Sequence, residues 1–233
     1  AGANAGRDYR KLAAGVSYRA VIFDLDGTLL DSLEDLADSM NAVLARQQYP
    51  VHAVDRYRYF VGDGISELVK RVLPEQLRTD SLVAENIRWM SVEYEARWNK
   101  KTRPYPGIVE LLAALTDAGL RMAVLSNKPD SFTKIMVPAL LPGWNFEPIL
   151  GARPGVPVKP DPQAALEIAG QLAVPPHEIL YLGDTATDMR TANAAGMMAV
   201  GVAWGFRPIE ELQQHGAQRI IHHPTDLLPL LQA

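Results

Sequence analysis

The chain has 233 residues, 48% of them apolar, and a formal net charge of −4. It is long and apolar enough for one large domain, or a core with a smaller insert, and its composition excludes a disordered polymer. Cysteine is absent, which excludes disulfides and thiolate zinc sites; no dominant Lys/Arg cluster points to nucleic acid, and no apolar run approaches the roughly 20 residues of a membrane helix.

Residues 1–17 are small, polar and Gly-rich, and a loose arm is expected. The first residues lack the apolar stretch of a secretory signal. The chain begins without methionine, so a trimmed or tagged form is expected, and a soluble cytoplasmic protein is the default. Residues 20–23 form an apolar run that predicts a buried strand. It ends in two carboxylates, Asp24 and Asp26, followed by a Gly27–Thr28 turn. Unpaired buried charge is costly, so acids at this place require a compensating group, and a divalent cation is the simplest.

Ser32 and Asp35 then match a capping box with Asp in place of Glu. Leu33, Leu36, Ala37, Met40 and Leu44 follow at helical spacing. A second helical pattern over 81–99 puts Val83, Ile87, Met90, Tyr94 and Trp98 on one face. Between them, the Gly-rich stretch 60–66 leads into a further helical run to Val72. No strand signal occurs from 32 to 101, so this block is expected to be an all-helical insert. Two prolines and a glycine over 102–107 stop helices and stiffen the link. One hinge is placed there and the other at 30–32.

From Gly107 onward helix and strand alternate. Helices are predicted over 108–118, 130–140, 161–173 and 187–195. Strands are predicted over 121–125, 148–150, 179–182 and 198–202, with a last strand near Ile221. Such alternation indicates a parallel sheet covered on both faces, with ligands at the carboxyl ends of its strands. The notable polar residues fall at those ends: Asp24 and Asp26, then Ser126 and Asn127, then Asp184. Lys159 lies in a Pro-rich loop after the 148–150 strand, and Asp188, in a second capping box with Thr185, four residues after Asp184. Each also has a purely structural reading. Asp24 and Asp26 fit a solvated turn, Ser126 and Asn127 a helix start, Lys159 a surface lysine and Asp188 a cap. Thr28 is expected to close its turn and Asp31 to cap a helix. Converging at one sheet edge, Asp24, Asp26 and Asp184 would suit Mg2+, a hard cation that keeps several waters. Clustered histidines are lacking, which argues against zinc; His222 and His223 fit a surface pair.

The Asp24-Leu-Asp26-Gly-Thr28-Leu stretch resembles the first motif of the haloacid-dehalogenase-like (HAD) phosphohydrolases. Ser126, Lys159 and the Gly183-to-Asp188 segment resemble the second, third and fourth, in family order. The resemblance runs from about Arg19 to about Ile221. It implies a Rossmann-like α/β core over 18–31 and 105–233, with a helical cap domain over 32–104. It further implies that Asp24 is a nucleophile that accepts a phosphoryl group and Asp26 the general acid and base. Lys159 would neutralise charge, and Ser126 with the Asn127 N–H would hold phosphoryl oxygens. Asp24, Asp26 and Asp184 would bind magnesium, with Thr28 and Asp188 behind them. Family members that break carbon–halogen bonds lack the second Asp, so phosphoryl transfer is expected.

Gly62-Asp63-Gly64 with Leu68, and Trp204-Gly205-Phe206-Arg207, resemble phosphoglycolate phosphatases more loosely. They imply that Gly62, Asp63 and Gly64 face the substrate; Lys70 and Arg71 fit either anion contacts or a solvated helix face. A small phosphorylated metabolite, first 2-phosphoglycolate, is the expected substrate. The rival readings are a beta-phosphoglucomutase-like mutase and a non-catalytic binding protein on the same fold.

Overall fold

The computed structural model describes residues 17–232. The expected N-terminal arm, apart from Ser17, lies outside them. The chain runs β1 (Ala20–Phe23), β2 (Leu30–Asp31), α1 (Leu33–Arg46), α2 (Tyr57–Phe60), α3 (Ile65–Val72), α4 (Asp80–Glu95) and β3 (Arg103–Pro104). It continues with α5 (Ile108–Asp117), β4 (Arg121–Pro129), α6 (Asp130–Leu140), β5 (Phe146–Ala152) and α7 (Gln163–Leu172). It closes with β6 (Ile179–Gly183), α8 (Ala186–Ala194), β7 (Met198–Val202), α9 (Ile209–Gln214) and β8 (Arg219–Ile221).

Six strands form one parallel sheet in the order β5-β4-β1-β6-β7-β8. All four residues of β1 are buried. Val21 and Phe23 pack into one apolar cluster, Ala20 and Ile22 into another on the opposite face. Alternating side chains on a central strand demand this, and helices cover both faces of the sheet to satisfy it. Phe23 meets Phe146 of β5 edge to face, with ring centroids 6.2 Å apart. The strand order reverses across β1, so the crevice at its carboxyl end, between β4 and β6, is where this architecture binds ligands. No helix among the described residues is long and apolar enough to cross a membrane.

The segment between β2 and β3 is helical, as its pattern predicts. Both hinges carry a feature that the sequence did not show. β2 and β3 pair antiparallel, Leu30 with Pro104 and Asp31 with Arg103, into a two-stranded ribbon. Asp31 therefore lies in a strand, exposed, and caps no helix. Ser32 makes no side-chain cap on α1 either. Its partner in the expected capping box, Asp35, is buried and reaches across to the other hinge. One oxygen, Oδ2, accepts from Lys101 N at 2.9 Å, Thr102 N at 2.8 Å and Thr102 Oγ1 at 2.8 Å. A carboxylate that gathers three donors from a remote loop satisfies that loop's backbone as well as its own charge. The start of α1 and the return of the chain to the sheet are thereby tied together.

Candidate active site

β1 delivers Asp24 to the sheet edge, where its N–H still donates to Leu182 O at 2.9 Å. The chain then turns tightly: the N–H groups of Thr28, Leu29 and Leu30 all converge on Leu25 O. Gly27 makes this turn at φ +89°, and a Cβ there would overlap the Asp184 carboxylate. Glycine is needed for both reasons.

β6 delivers Asp184 in the same way. The side chain is fully buried; Oδ1 accepts from Thr28 Oγ1 at 3.2 Å and Oδ2 from Phe206 N at 2.7 Å. Thr28 thus fixes the orientation of Asp184 as well as closing its own turn. At the start of α8, Asp188 completes the expected capping box with Thr185. Its other oxygen accepts from Lys159 Nζ at 2.7 Å.

Lys159 is the hub. Its Nζ stands 2.9 Å from Asp24 Oδ1, 2.7 Å from Asp188 Oδ1 and 3.1 Å from Leu125 O. All three ammonium protons have acceptors. The lysine is buried in the loop after β5, and Asn127 holds that loop in place. Asn127 Oδ1 accepts from Lys159 N at 2.9 Å, and Nδ2 donates to Lys159 O at 3.0 Å. Nδ2 also stands 3.2 Å from Gly62 O in the helical segment. The Asn127 side chain therefore positions Lys159, a role its place at a strand end did not reveal. Ser126 Oγ accepts from Lys128 N at 3.1 Å.

Burial, and next the charge of Asp188, push the Asp24 carboxyl up to about 7, with Lys159 partly offsetting them. Asp184 is raised well above the usual carboxylate range, by burial first and then by Asp24 and Asp188. Burial works against the Lys159 ammonium, yet Asp188 and Asp24 hold its pKa well above that of a free lysine. Fully ionised, the three carboxylates would carry more negative charge than Lys159 alone balances, which is why Asp24 and Asp184 favour their protonated forms.

One oxygen from each of Asp24, Asp184 and Asp188 lies within 4.8 Å of the others. Three buried hard oxygen donors that lack one cation when ionised fit a hard divalent metal ion. The sequence reading grouped Asp26 with Asp24 and Asp184. The structure brings Asp188 into the close cluster and directs the Asp26 carboxylate elsewhere. Asp26 Oδ1 accepts from Ser32 Oγ at 2.5 Å, and Oδ2 pairs with Lys128 Nζ at 3.0 Å. Asp24 and Asp26 line the same cavity, but the turn after β1 sends the Asp26 carboxylate to Ser32 and Lys128 and not to Asp184.

Gly62, Asp63 and Gly64 do reach the site from the helical segment. Gly62 and Gly64 line a cavity of about 60 Å³ together with Asp24, Asp26 and Lys128. Asp63 is absent from that lining. Its Oδ1 accepts from Thr187 Oγ1 of α8 at 2.5 Å and its Oδ2 pairs with Arg71 at 2.6 Å. Partial burial opposes its ionisation, but the hydrogen bonds from Thr187 and Arg71 outweigh this and hold its carboxyl below the usual range. Arg207 and Arg58 add contacts between the two parts, to Val61 O at 3.2 Å and Gly205 O at 3.1 Å. His222 and His223 are exposed, as expected.

Lys128 closes the Ser126-Asn127-Lys128 strand end in sequence, which assigns it no role of its own. The structure carries β4 past the predicted end at Leu125 to Pro129, so Lys128 lies within the strand. Its side chain is buried between Asp26 and Tyr94 of α4, with Nζ 3.0 Å from the Tyr94 hydroxyl.

Known proteins share this arrangement of elements. The family model of the haloacid dehalogenase-like hydrolases matches residues 21–202. A phosphoglycolate phosphatase of Pseudomonas putida is 31% identical over 95% of this chain and 82% of its own. One of Thiobacillus denitrificans is 36% identical over 83% of this chain and 88% of its own. A crystal structure from Lactobacillus delbrueckii subsp. bulgaricus superimposes with a TM-score of 0.87 at 31% identity, covering 92% of this chain and 98% of that one. Matched along most of its length by the family and by relatives above 30% identity, the chain belongs to the haloacid dehalogenase-like hydrolases.

Proposed function

We propose that this chain is a magnesium-dependent phosphatase that hydrolyses a small phosphomonoester, 2-phosphoglycolate first, through an aspartyl phosphate on Asp24. Segment 32–104 serves it as a helical cap over the core of 18–31 and 105–233. The observation that carries the reading is Lys159, whose ammonium joins Asp24 to Asp188 beside Asp184 at the carboxyl edge of the sheet. A carboxylate that attacks a phosphate dianion must have its own charge balanced, and a buried lysine does this without reorganisation. The curated relatives named above are phosphoglycolate phosphatases, which favours that substrate.

In the first half-reaction an Asp24 oxygen forms a bond to phosphorus while the ester P–O bond breaks. Asp26 supplies the proton that the departing alkoxide takes. In the second, Asp26 removes a proton from the water that attacks phosphorus, and Asp24 leaves as a free carboxylate. Ser126 and the Asn127 N–H hold the phosphoryl oxygens. Asp24 and Asp184, with Asp188 beside them, would hold magnesium, which supplies positive charge against the repulsion between nucleophile and phosphate. The helical segment shuts bulk water out of the cavity.

Release of inorganic phosphate from 2-phosphoglycolate tests the reading. Wild-type protein with magnesium should turn over, EDTA should stop it and added magnesium restore it. Asp24→Asn should lose at least about a thousandfold in kcat. Turnover indifferent to chelation, or an active Asp24→Asn, would contradict it.

A further inference from the structure

Lys128 is the only cationic side chain in the cavity wall, among the described residues, and the chemistry above gives it no task. Much of the rest of that wall is apolar, with Leu36, Ile65, Leu68, Met90 and Phe132. A buried ammonium in such surroundings is expensive unless its donors are used. Two are: Asp26 Oδ2 stands 3.0 Å away and the Tyr94 hydroxyl 3.0 Å away. The Tyr94 ring also lies under the charge, with its centroid 4.5 Å from Nζ. A lysine has three N–H donors, and the third has no partner among the described residues.

The position of this free donor matters. Asp26 is the proposed proton donor to the leaving oxygen, so Lys128, in contact with Asp26, lies where the leaving group must lie. Next to the leaving oxygen, the substrate meets one fixed positive charge in an apolar wall. A cavity of about 60 Å³ holds only a few waters. Its small, largely apolar wall around Lys128 suits a small leaving group with one negative charge. We infer that Lys128 is the specificity-determining residue of this site and takes a carboxylate carried one carbon from the ester oxygen. Tyr94 is the positioning residue, and because it belongs to the helical segment, recognition is complete only with that segment closed over the core. This inference rests on the phosphatase reading above.

The test crosses substrate charge with the lysine. The substrates are 2-phosphoglycolate and 2-phosphoglycolamide, which keeps the shape and lacks the charge; the readout is the ratio of their kcat/KM values. In wild-type protein the carboxylate should be favoured by about 10- to 100-fold, the range for hydrogen bonds to charged groups. Lys128→Met should bring the ratio close to one. A wild-type ratio near one would overturn the inference. So would a Lys128→Met variant that loses activity on both substrates equally, because the lysine would then act only through Asp26. Should Lys128→Met fail to fold by circular dichroism, Tyr94→Phe keeps the ring and removes the hydroxyl. Its ratio should fall several-fold, and an unchanged ratio would again overturn the inference. Wild-type protein that hydrolyses neither compound, nor p-nitrophenyl phosphate, would sink the phosphatase reading itself. Hydrolysis of both at equal rates sinks only the role of Lys128.

Discussion

Lys159 Nζ stands 2.9 Å from Asp24 Oδ1 across 135 residues of sequence, and both side chains are nearly inaccessible to solvent. The same ammonium pairs with Asp188, so one cation serves two buried carboxylates. Lys159→Met should therefore do two kinds of damage. It leaves both carboxylates without their partner, which should cost about 3–5 kcal/mol of stability. It also removes the positive charge beside the nucleophile, and kcat should fall by at least about a hundredfold. Chemical denaturation and phosphate release measure the two losses, and a variant as stable as wild type would deny the lysine its structural role.

Asp35 closes the other long-range link, from the first turn of α1 to Thr102. Asp35→Ala would leave the N–H groups of Lys101 and Thr102 and the Thr102 hydroxyl without their acceptor. A loss of about 2–4 kcal/mol is expected, since orphaned buried donors keep their full desolvation cost. Limited proteolysis should then cut first near residues 100–106. Unchanged stability and an unchanged cleavage pattern would show that water replaces the carboxylate without cost.

Asp63 predicts a pH dependence. Its folded pKa is depressed, so the stability it contributes is fully present above the unfolded value of about 3.9 and is lost as pH falls through the folded value. Its carboxylate and the Arg71 guanidinium are each about a third exposed, so solvent screening keeps the effect small. Asp63→Asn should lower the melting temperature at neutral pH, and the gap to wild type should close below about pH 4. A gap that is constant with pH would mean that the carboxylate charge is irrelevant at this contact.

These links mark the limit of what the sequence alone reveals. Acids that end apolar runs were legible, because a buried strand cannot otherwise carry them; so Asp24, Asp184 and the parallel sheet followed from local pattern. The capping box at Thr185 and Asp188 formed as read. The similar one at Ser32 and Asp35 did not, because remote partners, Asp26 and Thr102, compete for both side chains. β2 and β3 are two residues each, too short for any periodicity to register. The Lys128 contacts with Asp26 and Tyr94 join three distant stretches, and no local pattern encodes such a meeting.

The carboxylate cluster predicts how metal binding changes with pH. Asp24 and Asp184 hold protons to an unusually high pH in the metal-free protein. Folded values above the unfolded one mean that the metal-free protein loses stability as pH rises from about 4 towards 7. A divalent cation held by this cluster must displace those protons, so magnesium, if it is that cation, should bind more tightly as pH rises through about 7. Calorimetry in buffers of different ionisation enthalpy should show proton release on binding. Affinity that is flat between about pH 5.5 and 7.5, with no proton release, would place the cation elsewhere.

The central claim is that Asp24 becomes covalently phosphorylated, and trapping tests it most directly. The Asp26→Asn variant lacks the base for the second step, and p-nitrophenyl phosphate has a leaving group that needs no proton. Mixed with magnesium and quenched into borohydride, an aspartyl phosphate is reduced to homoserine and releases phosphate. Peptide mass mapping should find homoserine at position 24 and nowhere else. An intact Asp24 in protein that has released p-nitrophenol, or homoserine at another acid, would contradict the account.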